Sequence, residues 1–175
     1  MITGLKDSLS FKGSSATQLL RDQHAATVDV AEGFLSGSME YKFFLSKVKY
    51  SLDVHFILED EVLIPVFRPI LRKYLEFEEP VRIIVGEHNS IRSSYRSVAN
   101  PVVLENDEEI RSTEEEIIGK CGAMAKTLLQ HIYKEENGLF SLIELYMPDD
   151  LKDDVSRSIS EKLPVLEAAH RNMIK

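Results

Sequence analysis

Four of the five histidines, His24, His55, His88 and His131, stand about one antiparallel helix plus a connection apart. Two of them carry a glutamate four residues on, in His55-x-x-x-Glu59 and His131-x-x-x-Glu135. Residues four apart on a helix share a face one turn apart, so each pair aims an imidazole and a carboxylate the same way. Glutamate in a core position is costly unless it is paired or metal-bound. A chain that sets such side chains on several apolar stripes has few folds open to it. A bundle that turns them towards one another is the simplest, and imidazoles with bridging carboxylates in a bundle core build dinuclear iron or manganese sites.

The stripes have helical period, with almost no strand alternation. A first helix is expected over about 16–35, with Leu20, His24, Val28, Ala31 and Leu35 on one side and Gly33, Ser36, Gly37 and Ser38 marking its end. A second starts near Met39 and carries Phe44, Val48, Leu52, His55, Glu59 and Val62. Pro65 and Pro69 should then disturb or end it, unless a kink carries it on towards Tyr74. Glu78-Glu79-Pro80 suits the start of a third helix, striped by Val81, Ile84, His88, Ile91, Tyr95 and Val98 and closed by Asn100-Pro101. Asn106-Asp107-Glu108-Glu109 opens a fourth, with Ile117, Cys121, Met124, Leu128, His131 and Glu135 as its seam and Asn137-Gly138 as its C-cap. Segments 142–147, 149–162 and 164–173 read as additional short helices. The expected organisation is an N-terminal segment over 1–15, an all-α up-down four-helix bundle over 16–140, and a helical extension of the same domain over 141–175.

Composition agrees with one ordinary domain: 175 residues, 43% hydrophobic and 29% charged. A formal charge of −8 with no local basic cluster argues against nucleic acid as a partner. No apolar run is long enough to span a membrane, and the first residues lack the apolar stretch of a secretory signal. A single cysteine, Cys121, excludes an internal disulfide and any cysteine-based zinc cluster, so a reducing cytoplasm is the expected location.

The segments Asp22-Gln23-His24, His55 to Pro65 (HFILEDEVLIP), Glu87 to Arg92 (EHNSIR) and His131 to Phe140 (HIYKEENGLF) resemble the hemerythrin-like, HHE cation-binding family. The likeness lies in the order and register of the motifs. It implies a four-helix bundle around a non-haem di-iron centre, with His24 and His55 on one iron, His88 and His131 on the other, and Glu59 and Glu135 bridging. Manganese or zinc suit the same donors. It also implies O2, or another small diatomic or anionic ligand, as the partner.

Two positions depart from the family's oxygen carriers. Their second third-helix histidine is replaced by Arg92, and the last bridge is His131-x-x-x-Glu135 rather than a more distant aspartate. Both features resemble the wider group of iron- and oxygen-sensing modules. Arginine cannot ligate, so the His88 ion should keep an open position. Glu87 is the nearest group to fill it, although about 100° of helix rotation from His88 favours an outer role. Tyr95 lies on the same seam as His88, Cys121 reads as buried packing, Glu114 to Glu116 as a solvated face and His170 as an exposed helix residue. The functional expectation is a protein that binds or senses O2 or iron without turnover. The alternative is a di-iron enzyme that activates O2, peroxide or nitric oxide, including a role in iron homeostasis or iron-centre repair.

Overall fold

The computed structural model describes residues 13–75, 78–99 and 107–173. Among the described residues every regular element is helical, and the elements join into five continuous helices: α1 (Ser15–Leu35), α2 (41–75), α3 (Glu79–Ala99), α4 (107–146) and α5 (Asp149–Met173). Gln23 and Thr27 of α1 face His55 and Ser51 of α2, so these two run antiparallel. Asp60 and Arg72 of α2 meet His88 and Glu78 at the α3 side, and Thr17 and His24 of α1 meet Glu144 and Glu136 of α4. Directions therefore alternate around the bundle, as the stripes imply. The expected N-terminal segment as far as residue 12, the Asn100-Pro101 stop and Asn106 lie outside the described residues.

α1 buries Leu20, His24, Val28 and Ala31, but the stripe stops there, and Leu35 is 40% exposed. Its end is a Schellman turn: Gly37 adopts φ +78°, Gly37 N–H donates to Phe34 O, and Ser38 N–H donates to Gly33 O. That positive φ is what requires glycine. At its start, Glu144 of α4 accepts from the Ser14 N–H and from the Ser14 and Thr17 hydroxyls, tying α1 to α4.

α2 does not end at its prolines, and the reason lies in two wide turns. Phe56 N–H reaches back five residues to Ser51 O, and Ile64 N–H reaches back five to Glu59 O. Each such π turn takes up one extra residue. At about 100° per residue an unbroken α-helix would put Leu71 about 200° round from Ser51; two extra residues absorb that rotation. Ser51, His55, Glu59, Leu63, Phe67 and Leu71 are accordingly all buried, whereas Leu52 and Val62, expected on the seam, are turned partly outward. Pro65, which has no N–H, falls where the bonding returns from five residues back to four. Pro65 and Pro69 both face solvent. An interior proline costs about 3 kcal/mol, less than the burial of Phe67, Ile70 and Leu71 at about 1.5–3 kcal/mol each returns.

A third wide turn replaces the C-cap expected at Asn137-Gly138. Phe140 N–H reaches Glu135 O, and Asn137 donates its side-chain amide to Tyr133 O at 2.9 Å. α4 then continues through Phe140 and Ile143, both fully buried, to Tyr146. Residues 142–147 thus complete α4, and 149–173 form one helix. Pro164 sits on the exposed side of α5, so the helix passes it. α5 lies along α1 and α2, with Asp153 near Ser15, Lys162 on Glu61 and His170 on Asp53. It runs parallel to α1 and antiparallel to α2.

The apolar core is divided in two. One cluster gathers Leu20, Leu58, Leu63, Phe67, Ile84, Phe140 and Ile143 with Val155 and Ile159 of α5; the other gathers Val28, Phe44, Val48, Phe56, Ile91, Cys121, Met124 and Leu128. Along α1 the sequence of burial is Leu20, His24, Val28, and along α3 it is Ile84, His88, Ile91. The polar side chains fill the layer between.

Candidate metal centre

α1 supplies His24, α2 His55 and Glu59, α3 His88, and α4 His131 and Glu135; all six are buried, none more than 4% exposed. Both glutamates sit where a wide turn begins, since Glu59 O and Glu135 O are the acceptors of the five-residue bonds. The backbone irregularity thus coincides with the site, where π turns are common.

All four Nε2 atoms converge on the two carboxylates. His24 Nε2 lies 3.1 Å from Glu135 Oε2, His131 Nε2 3.1 Å from Glu135 Oε1, and His55 Nε2 3.4 Å from Glu59 Oε2. His88 Nε2 is 3.3 Å from Glu59 Oε2 and 3.4 Å from Glu135 Oε1. Yet these four nitrogens and all four carboxylate oxygens are buried without a hydrogen-bond partner. One such atom costs about 1–3 kcal/mol. Eight in one layer are accounted for when cations take their lone pairs. The donors fall into two sets, His24, His55, Glu59, Glu135 and Glu59, His88, His131, Glu135, each with its atoms within 4.8 Å of one another. The sets share both glutamates, so the donors fit two ions with two imidazoles apiece and the carboxylates in common.

The other ring nitrogens form a closed circuit around the bundle. His55 Nδ1 donates to Gln23 Oε1 at 2.8 Å, His88 Nδ1 to Asp60 Oδ1 at 2.8 Å, His131 Nδ1 to Glu87 Oε2 at 3.1 Å, and His24 Nδ1 to Glu136 Oε1 at 2.7 Å. Each helix holds the next helix's histidine through a residue adjacent in sequence to one of its own site residues. With Nδ1 carrying the proton, every Nε2 presents a lone pair inward, the tautomer a metal requires. Three of the partners are themselves fixed by cations: Asp60 by Arg92, Glu87 by Lys134 and Glu136 by Arg21. Phe56 stacks on His88 with ring centroids 4.0 Å apart, and Phe140 stacks on His24 at 5.2 Å.

Without metal the layer stores protons. Burial works against charge on His24, but Glu135 and Glu136 prevail and its pKa is pushed up to about 9. Burial likewise opposes a charge on His88, yet Asp60, Glu135 and Glu59 lift it to about 11. His131 is raised as well, the charge and hydrogen bond of Glu135 outweighing burial. His55 goes the other way, held neutral by burial and by the neighbouring His24 charge. Burial and the Glu135 charge raise Glu59, while Glu135, despite its own burial, is kept ionised by His131, His24 and His88.

The family model of the hemerythrin HHE cation-binding domain matches residues 15–143. The chain belongs to that family. No curated protein and no solved structure matches it. Membership in the HHE family implies cation binding, and the buried histidines and glutamates are groups that could hold the ions.

Against that family frame, the structure brings all six candidate ligands together. Arg92 does not stand open beside His88: its Nη2 bonds Asp60 Oδ2 at 2.8 Å and its guanidinium lies 5.5 Å from the Phe56 ring centre. Glu87 takes the outer role, though on His131 rather than on the His88 side. Tyr95 packs half-buried in the second cluster, without a hydrogen bond from its hydroxyl to the site. Cys121 is buried packing, and Glu114 to Glu116 are exposed. His170 corrects the expectation: it is only 8% exposed and donates to Asp53 Oδ2 at 2.7 Å, because α5 is one helix docked on α2. Gln23, Asp60, Glu136 and Arg21 were missed as partners of the site. For Gln23, Asp60 and Glu136 the signal was adjacency, since a residue next to a core-facing one points about 100° round, at the neighbouring helix; Arg21, three residues before His24, lacked that signal.

Proposed function

We propose that this is a non-haem di-iron protein that binds or senses O2, or iron itself, without turnover. His24 and His55 would hold one ion, His88 and His131 the other, and Glu59 and Glu135 would serve both. The observation that carries the reading is the convergence of four unpartnered imidazole nitrogens and four unpartnered carboxylate oxygens in one buried layer. Iron bound there would supply reversible redox chemistry and coordination positions that the protein leaves open.

The chain's own residues set the terms of access. The six candidate ligands are buried and roofed by Phe56 and Phe140, which favours a diatomic or a small anion over a bulky substrate. Two imidazoles and two shared carboxylates per ion are fewer donors than iron commonly takes, so a bound iron would have room for a small outside ligand. The Nδ1 circuit keeps each imidazole in one orientation and one tautomer while a ligand comes and goes. Among the described residues, no helix is long and apolar enough to cross a membrane. We place the protein in the cytoplasm, where one unpaired buried cysteine is stable.

The test is metal analysis of the isolated protein, with absorption spectra of the anaerobically reduced form before and after adding O2 or azide. Two irons per chain and a visible band that disappears when O2 is removed support binding. Irreversible oxidation with product release would move the protein to the enzymes, and retention of zinc alone after growth in iron would overturn iron.

A further inference from the structure

A cleft of about 630 Å³ opens beside the metal layer, between α1, α2 and the last turns of α5. Its size is that of small-molecule sites, commonly about 300–1,000 Å³. Leu19, Ala26 and Val30 of α1 give it an apolar wall, and the distance along that wall is about 16 Å at 1.5 Å per residue. None of the six candidate metal ligands lines it.

Its polar groups are unevenly used. Asp22 already accepts from Gln18 Nε2 at 2.8 Å, and His170 is bonded to Asp53. Lys47, at the rim, has no carboxylate partner among the described residues; its ammonium rests 5.2 Å from the Phe43 ring centre. The Gln23 amide N–H reaches Tyr50 Oη only at 3.5 Å, the limit of a hydrogen bond, while Tyr50 gives its own proton to Glu167 Oε1 at 3.0 Å. Lys47 is therefore the charged donor in the lining that no carboxylate among the described residues takes up, beside a long apolar wall. The matching ligand carries an apolar chain and an anionic oxygen group.

Gln23 belongs to both places. It lines the cleft with its side chain and accepts the His55 Nδ1 proton with Oε1. A molecule that covers it removes water from that hydrogen bond and changes what His55 offers to a metal.

We infer that the cleft binds a medium-chain fatty carboxylate, its carboxylate at Lys47 and its chain along Val30, Ala26 and Leu19, and that occupancy is felt at His55 through Gln23. The second half of this inference rests on the metal-site reading above; the first does not. Decanoate and decan-1-ol would be titrated into the metal-free and the zinc-loaded protein, followed by calorimetry. For the zinc-loaded form the imidazole Nδ1–H resonances would be followed as well, since zinc is diamagnetic.

Decanoate should bind both forms with one site, about tenfold or more tighter than decan-1-ol. Lys47→Glu, at an exposed position, should erase the preference for the acid. Ala26→Phe, also exposed, should abolish binding of both by filling the cleft while leaving the helical spectrum unchanged. Of the four Nδ1–H signals, that of His55 should move most. No decanoate binding to either form, or binding untouched by Ala26→Phe, overturns the site. Binding with an unmoved His55 signal overturns the coupling to the metal layer. Failure of zinc to load would count against the metal reading and leave the calorimetry on metal-free protein to decide the cleft.

Discussion

The two halves of the metal layer are built on one plan and finished differently. At His88 and His131 both outer partners are carboxylates, Asp60 and Glu87, each paired with a cation, Arg92 or Lys134. At His24 and His55 only one partner is a carboxylate, Glu136, held by Arg21. The fourth link, Gln23, is neutral and leans on Tyr50. A carboxylate accepting Nδ1–H makes the imidazole a stronger donor than an amide does. The helix positions are equivalent, so the difference is chemical: one half is braced by charge, and the other has a link that its surroundings can alter.

The largest effect should come from the group both halves share. Glu135 faces three histidines and Glu59 faces two. Glu135→Ala should leave the purified protein with almost no metal by elemental analysis, whereas Glu59→Ala should retain part of its complement. Full occupancy in Glu135→Ala would separate the halves and defeat the shared-bridge reading. Next in size is the outer circuit. Asp60→Asn should weaken metal binding by about 10–100-fold, as loss of an outer partner commonly does. Gln23→Ala should cost only a few-fold. Gln23→Glu should tighten the weaker of two binding steps and bring them closer together. Equal losses from Asp60→Asn and Gln23→Ala would erase the distinction drawn between the halves.

What could be read in advance follows the same division. Periodicity alone locates His24, His55, Glu59, His88, His131 and Glu135 on inward faces, because this buried polar layer lies on the stripes that also bury Leu20, Ile84 and Leu128. The wide turns at Ser51, Glu59 and Glu135 were not legible, since a π turn is stabilised by what it turns inward rather than by local propensity. The same blindness left open whether the second helix ends at Pro65 and Pro69 or runs on towards Tyr74, and placed an end at Asn137-Gly138, where tertiary burial of Phe67 and Phe140 outweighs the local breaker. The docking of α5, and with it the burial of His170, depends on contacts more than a hundred residues apart, which no local pattern encodes.

Protons distinguish the halves in a further, smaller way. In metal-free protein His24, raised to about 9, adds stability that is complete below the ordinary histidine value of 6.5 and lost as pH rises through about 9. The contribution of His88 persists until about 11. His55 has the opposite sign: its lowered pKa takes stability away as pH falls below 6.5. A metal ion must displace the protons on His24, His88 and His131, so affinity should rise with pH and binding should release protons. Two raised histidines meet in the braced half and only one in the other. The braced half should therefore lose affinity faster on acidification. Calorimetry in buffers of different ionisation enthalpy, repeated between pH 6.5 and 9, would count the protons. Binding without proton release would contradict the stored-proton picture.

The smallest effect expected is at Arg92, which braces Asp60 from a partly exposed position, the two side chains being 24% and 22% accessible. Pairs at such accessibility contribute roughly 0–1 kcal/mol, so losing the charge should weaken metal binding by about fivefold at most. Arg92→Gln tests that bracing alone. Arg92→His removes the same charge but adds an imidazole one turn after His88, where oxygen carriers of the family keep a ligand. Asp60 stands between Arg92 and the His88 ring, accepting from both. The two variants should accordingly match in metal affinity and in azide binding. If Arg92→His alone binds metal more tightly and azide more weakly, residue 92 reaches the ion directly and takes the position that the wild-type chain leaves to an outside ligand.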